Sequence, residues 1–189
     1  LNSCILDILA VVFIVHFAAR HRQDKTALGI SERNFFRNVL YGLTAYIALV
    51  PALVAALALI LLIVTITKYV PEKQPVVELF MNEKNASFLF FSSVFAAIIG
   101  PVIEEIYFRA FMYKALKRRA GLAAAAILSS AIFAALHSNI VGFVPIFMLG
   151  ILLVYLYEKT GTLVASMTVH ITHNLGMVFF VFLLRQLKG

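Results

Sequence analysis

Uncharged runs dominate the chain, and polar positions fall mainly between them. Residues 1–19 are apolar apart from Asp7 and His16 and stop at Arg20, His21 and Arg22, a basic boundary of the kind that closes a membrane span. Residues 39–67 carry no charge over 29 positions, long enough for a tilted crossing helix kinked at Pro51. A polar stretch with Pro71 and Pro75 follows. An uncharged segment from Asn85 to Ile103 then runs directly into Glu104, Glu105 and Arg109. Gly100 and Pro101 precede that cluster. Proline removes a backbone donor and crowds the preceding turn, so this third helix is expected to break or bend there. Residues 120–157 hold no charge other than one on His137, and a single helix of that length would run roughly 57 Å, too long for one crossing. Ser138, Asn139, Gly142 and Pro145 mark the break between a fourth and a fifth helix. Residues 160–184 supply the sixth, opened by a turn over Lys159, Thr160, Gly161 and Thr162 and interrupted by His170, His173 and Asn174. The pattern predicts an all-α, polytopic transmembrane helical bundle of about six spans. A single membrane domain covers residues 1–189, with the chemistry-bearing core at residues 85–184.

Composition agrees with that pattern. Of 189 residues, 62% are hydrophobic and 13% charged, with a mean hydropathy of +0.97. Soluble domains carry about 25% charged residues. The formal net charge of +7 fits cytoplasmic loops and anionic lipid headgroups better than nucleic acid, for which the chain has no motif. Cys4 is the sole cysteine, so an intrachain disulfide and a thiolate metal cluster are both excluded. The sequence opens on Leu1 rather than Met, so upstream sequence is expected and the span count is a minimum. Five Lys or Arg fall in residues 20–37 and five more in 109–119, whereas 68–84 balances three lysines against three glutamates. The positive-inside rule puts the first two segments in the cytoplasm and the third outside. Arg185 and Lys188 would then lie outside, which counts against that orientation. A prokaryotic cell membrane is the expected location, with its lipids as the first partners.

The charges inside the apolar runs carry the chemistry. An ionised side chain at the centre of a spanning helix costs about 2.5–3.5 kcal/mol even on the lenient insertion scale, so Glu104, Glu105 and Arg109 should not face lipid. Glu105 and Arg109 are four apart and can pair on one helical face, while Glu104 points about a quarter turn away. One carboxylate is neutralised and the other left available. Taken alone, this string fits a headgroup boundary as well. His137 shares a helical face with Phe133, and a lone histidine there is commonly structural. His170 and Asn174 are again four apart, with His173 on a neighbouring face, and such groups often only join helices. Depth changes the weighing. From the inferred cytoplasmic ends, Glu104 and His137 lie roughly 22–24 Å in and Asn174 about 21 Å, with His170 one turn shallower. Three helices put polar groups at one level, which favours a site over scattered helix contacts.

In their order and context these residues resemble the CAAX-protease and bacteriocin-processing family of intramembrane peptidases, often called the Abi family. Glu104-Glu105-x-x-x-Arg109 stands within GPVIEEIYFRAF, Phe133-x-x-x-His137 follows, and His170-x-x-x-Asn174 comes after EKTGTLVASMTV. The resemblance covers residues 100–176. It implies a glutamate-type peptidase in which Glu104, as general base, and His137 activate a water that attacks the scissile carbonyl. His170 and Asn174 would stabilise the oxyanion, and Glu105 with Arg109 would hold the base in place, Phe133 supporting the site. It implies no cofactor and a membrane-associated peptide or protein substrate, prenylated CAAX termini and bacteriocin leader peptides among them. The residues themselves leave two alternatives open. One is a zinc protease with Glu104, His137 and His170 as ligands, lacking the compact HExxH spacing. The other is a non-catalytic membrane protein, either an immunity or interaction scaffold or a proton-coupled transporter using Glu104 and the histidines as a relay.

Overall fold

The computed structural model describes residues 34–71, 74–137 and 139–188, together with Leu9, Val12, His16, Arg20 and Gly29. Among the described residues every regular element is helical. In chain order these are α1 (Phe35–Thr67), α2 (Pro75–Asn82), α3 (Ala86–Val94), α4 (Gly100–Glu105), α5 (Lys114–Leu136), α6 (Phe143–Thr160) and α7 (Val164–Lys188). Two π-helical stretches, Phe95–Ile99 and Ile106–Tyr113, join α3 to α4 and α4 to α5. Four helical stretches are long and apolar enough to cross a membrane: Phe35–Thr67, Ala86–Leu136, Phe143–Thr160 and Val164–Leu187. Apart from Leu9, Val12 and His16, the predicted span over 1–19 lies outside the described residues.

The third and fourth predicted helices are two arms of one stretch. Ala86–Leu136 has 51 residues, too many for one straight crossing. Gly121 turns it with φ 79° and ψ 174°, a conformation that glycine adopts without steric penalty. The Phe108 ring meets that of Phe133 at 5.0 Å, so the arms run antiparallel about that turn. Pro101 does not end its helix as a break would. The Gly100 N–H reaches back to the Phe95 carbonyl, one residue further than in an α-helix, and the chain passes through Pro101 in a widened turn. Pro145 likewise stands inside α6 rather than in the connection before it. It occupies the first turn, where a missing N–H leaves no intrahelical bond unmade.

Three buried clusters hold the helices together. Leu149, Leu153 and Leu156 of α6 meet Ala165 and Val169 of α7, with Tyr41, Ala45, Tyr46 and Leu49 of α1 packed against them. Ala110, Tyr113, Ala125, Val154, Tyr157 and Leu163 join the two arms to α6 and α7. Phe80, Leu89 and Val181 tie α2 to α3 and α7. Close approach depends on two glycines. A Cβ on Gly42 would stand 2.6 Å from the Ala165 carbonyl oxygen, and one on Gly150 would stand 2.9 Å from the Ser130 Cβ. Small residues at such crossings let helices pack by dispersion where lipid removes the hydrophobic drive. Leu57, Leu59, Leu61, Leu62 and Ile66 of α1 remain exposed, a surface that suits hydrocarbon. Lys117 pairs with Glu158, placing the basic 109–119 segment at the same end as the Gly161 turn. At the other end Arg185 donates to the Phe80 carbonyl at 2.9 Å.

Candidate active site

The widened helical arm carries Glu104, Glu105 and Arg109 into the interior. Glu105 is fully buried, and Arg109 and His170 are each 1% exposed. Arg109 Nη1 lies 3.0 Å from Glu105 Oε1, the helical pair that the spacing predicts. The guanidinium sits 4.7 Å from the centre of the Phe133 ring and 5.8 Å from that of Phe108, so its charge is compensated by a carboxylate and by aromatic faces. Glu105 Oε1 also takes a hydrogen bond from His170 Nδ1 at 3.1 Å. Glu105, paired with Arg109, therefore also holds the imidazole of His170. A same-helix spacing identifies Arg109 as partner but says nothing of a ring arriving from α7.

Glu104 turns the other way and keeps 22% of its side chain exposed, with Oε2 3.6 Å from His170 Nε2. His170 thus stands between two carboxylates. Its Nδ1 hydrogen belongs to Glu105, because a carboxylate can only accept.

Phe133 and His137 come from the end of α5. There the His137 N–H turns to the Ala134 carbonyl at 3.3 Å, a tightened last turn. The Phe133 carbonyl, relieved of its backbone donor, accepts from His137 Nδ1 at 2.8 Å. A carbonyl can only accept, so Nδ1 carries the hydrogen and the lone pair of the neutral ring is on Nε2. The Phe133 ring contacts both imidazoles, His137 at 4.7 Å and His170 at 5.5 Å between centroids. One phenyl ring therefore gathers Arg109, His137 and His170.

Asn174, one turn beyond His170, donates from Nδ2 to the Ala96 carbonyl at 2.9 Å. His173, on the neighbouring face, meets a group that no motif marks: its Nδ1 lies 3.1 Å from the Tyr46 hydroxyl, with the rings edge to face at 5.9 Å. Tyr46 belongs to α1, outside the motif-bearing core. A tyrosine in an apolar run is a weak sequence signal, and its partner depends on how α1 crosses α7. A separate cavity of about 590 Å³, lined by Arg37, Lys159 and Thr162 among others, lies by the Gly161 turn, and none of the motif residues lines it.

Among the described residues no three or more His, Cys, Asp or Glu side chains converge to hold a metal ion. Glu104, 22% of whose side chain is exposed, stands 3.6 Å from a ring nitrogen of His170.

Residues 86–176 match a family model described as type II CAAX prenyl endopeptidase Rce1-like. Over 85 residues the chain is 27% identical to the "Putative membrane peptidase YdiL" of Bacillus subtilis (strain 168), covering 45% of this chain and 35% of that protein. The chain thus spans about a third of the length of that curated relative. No solved structure matches. Both matches support the resemblance carried by the three motifs, and with the apolar helices they describe an integral, multi-pass membrane protein.

Proposed function

We propose, from the chain's similarity to the CAAX-protease and bacteriocin-processing family, that it is an intramembrane endopeptidase acting on a membrane-associated peptide or protein. The observation that carries this reading is the Glu104 carboxylate, partly open and 3.6 Å from an imidazole that Glu105 orients from behind. Glu104 takes a proton from water, with His137 Nε2 aligning that water, and the hydroxide adds to the scissile carbonyl carbon. His170 and Asn174 donate N–H groups to the oxygen as negative charge develops there. Collapse of the tetrahedral species breaks the C–N bond, and the proton held by Glu104 passes to the leaving nitrogen. The products are one carboxylate and one amine, and no redox partner is needed. Donors preset around an oxyanion commonly contribute about 2.7–4 kcal/mol each to the barrier.

The reaction is glutamate-dependent on this reading, and Glu105 with Arg109 also orients His170. Prenylated CAAX termini are the first substrate class to try, since the matched family model describes a prenyl endopeptidase. Leader peptides are the second. The decisive comparison is cleavage of a panel of membrane peptides by the reconstituted wild-type chain and by Glu104→Gln. Cleavage that disappears in the variant, with the protein still monodisperse, is expected. Equal turnover by both would remove Glu104 from the chemistry, and proton-dependent transport without any cleavage would favour the relay alternative.

A further inference from the structure

Asn174 reaches its position through a gap in the backbone ladder of the facing helix. The π-helical turn Phe95–Ile99 closes with the Gly100 N–H donating to the Phe95 carbonyl, five residues back. The next bond in register would run from residue 101 to the Ala96 carbonyl. Residue 101 is proline and has no N–H to give. The Ala96 oxygen is therefore left without a backbone donor, and a carbonyl in that state is costly away from water in a membrane interior. The carboxamide of Asn174, arriving from α7, supplies the missing hydrogen at 2.9 Å. Because the carbonyl can only accept, the contact also fixes which amide atom faces it. Nδ2 is committed, one of its hydrogens is used, and the second is held in a set direction.

We propose that Pro101 is a positioning residue for Asn174: by withholding a backbone donor from Ala96, it creates the acceptor that orients the Asn174 amide for the oxyanion. The inference rests on the peptidase reading above and adds a residue that the three motifs do not include. It also gives the widened turn a purpose. An α-helical register would let Gly100 satisfy Ala96, and Asn174 would lose its anchor.

Any other residue at position 101 brings an N–H that competes with Asn174 for the Ala96 carbonyl. Pro101→Ala should therefore lower kcat about tenfold with KM little changed, since a misaimed donor loses only part of the effect of an absent one. Asn174→Ala should lower kcat by about a hundredfold or more. The test is the double variant, measured on one membrane-peptide substrate in proteoliposomes, with thermal unfolding recorded for every protein. If Pro101 acts through Asn174, Pro101→Ala has its effect in the wild-type background and almost none in the Asn174→Ala background. An equal loss in both backgrounds, or wild-type turnover by Pro101→Ala, overturns the proposal while leaving the peptidase reading intact. Full turnover by Asn174→Ala overturns the oxyanion role itself, and with it any role for Pro101 through that amide. Should Pro101→Ala aggregate, Pro101→Ser carries the same competing N–H and the same expectation.

Discussion

Oε1 of Glu105 lies 3.1 Å from Nδ1 of His170, across 65 residues of sequence, and the same oxygen is 3.0 Å from the Arg109 guanidinium. One buried carboxylate thus serves two partners, one on its own helix and one on α7. Glu105→Gln keeps the shape but leaves Arg109, 1% exposed, without its counter-charge. Removing one partner of such a pair typically costs about 3–5 kcal/mol. Glu105→Gln should therefore lower the unfolding temperature in detergent and abolish cleavage together. Glu104→Gln, on a more open carboxylate, should lose cleavage while keeping its unfolding temperature. Equal stability for both variants would mean that the buried pair does not hold the arm.

Much of this was legible in the sequence, for identifiable reasons. Lipid demands long uncharged runs, so the spans over 39–67 and 160–184 show in composition alone; α1 contains the first, and α7 takes up the second from Val164 onward. Helical spacing likewise brings Glu105 to Arg109 and Phe133 to His137. What spacing does not carry is the partner from another helix. That His170 docks on Glu105, and Tyr46 on His173, depends on how α7 rotates against its neighbours. The π-helical register was also hidden. Pro101 announces a disturbed ladder, but the donor that repairs it is a side chain 78 residues beyond Ala96.

Tyr46 links α1, which lies outside the matched segment, to the rim of the site. Tyr46→Phe removes the hydroxyl and leaves the ring, so the edge-to-face contact with His173 stays while the 3.1 Å hydrogen bond goes. One such bond is worth about 0.5–1.5 kcal/mol. Expected is a loss of stability in that range and a several-fold reduction in turnover, because His173 adjoins Asn174 in the chain. His173→Phe in the Tyr46→Phe background should add little further loss. Additive losses from the two substitutions would show that the side chains act separately.

The crossing of α1 over α7 should be intolerant at Gly42. A Cβ there meets the Ala165 carbonyl oxygen at 2.6 Å, and that neighbour is backbone, so a rotamer change cannot relieve it. Gly42→Val must push the helices apart, and overpacking of this kind costs about 1–3 kcal/mol. Because Tyr46 lies one turn further along α1, the same displacement should break its bond to His173. Gly42→Val is expected to lower the unfolding temperature and to show no additional effect when Tyr46→Phe is added. Wild-type stability for Gly42→Val would mean that α1 is not held against α7 by this contact.

Metal dependence gives the sharpest separation between the two hydrolytic chemistries. His170 donates from Nδ1 to Glu105 and turns Nε2 toward Glu104 at 3.6 Å. A catalytic zinc needs three protein ligands around an open position, and among the described residues no trio of His, Cys, Asp or Glu converges in that way. Proton transfer by Glu104 needs none. Enzyme dialysed against a strong chelator, with residual zinc measured by emission spectroscopy, should cleave at the untreated rate. Adding back zinc should change nothing, or inhibit if the ion binds Glu104 and His170 and blocks the base. Loss of cleavage on chelation, restored by one equivalent of zinc, would transfer the activation of water from the Glu104 carboxylate to a metal ion.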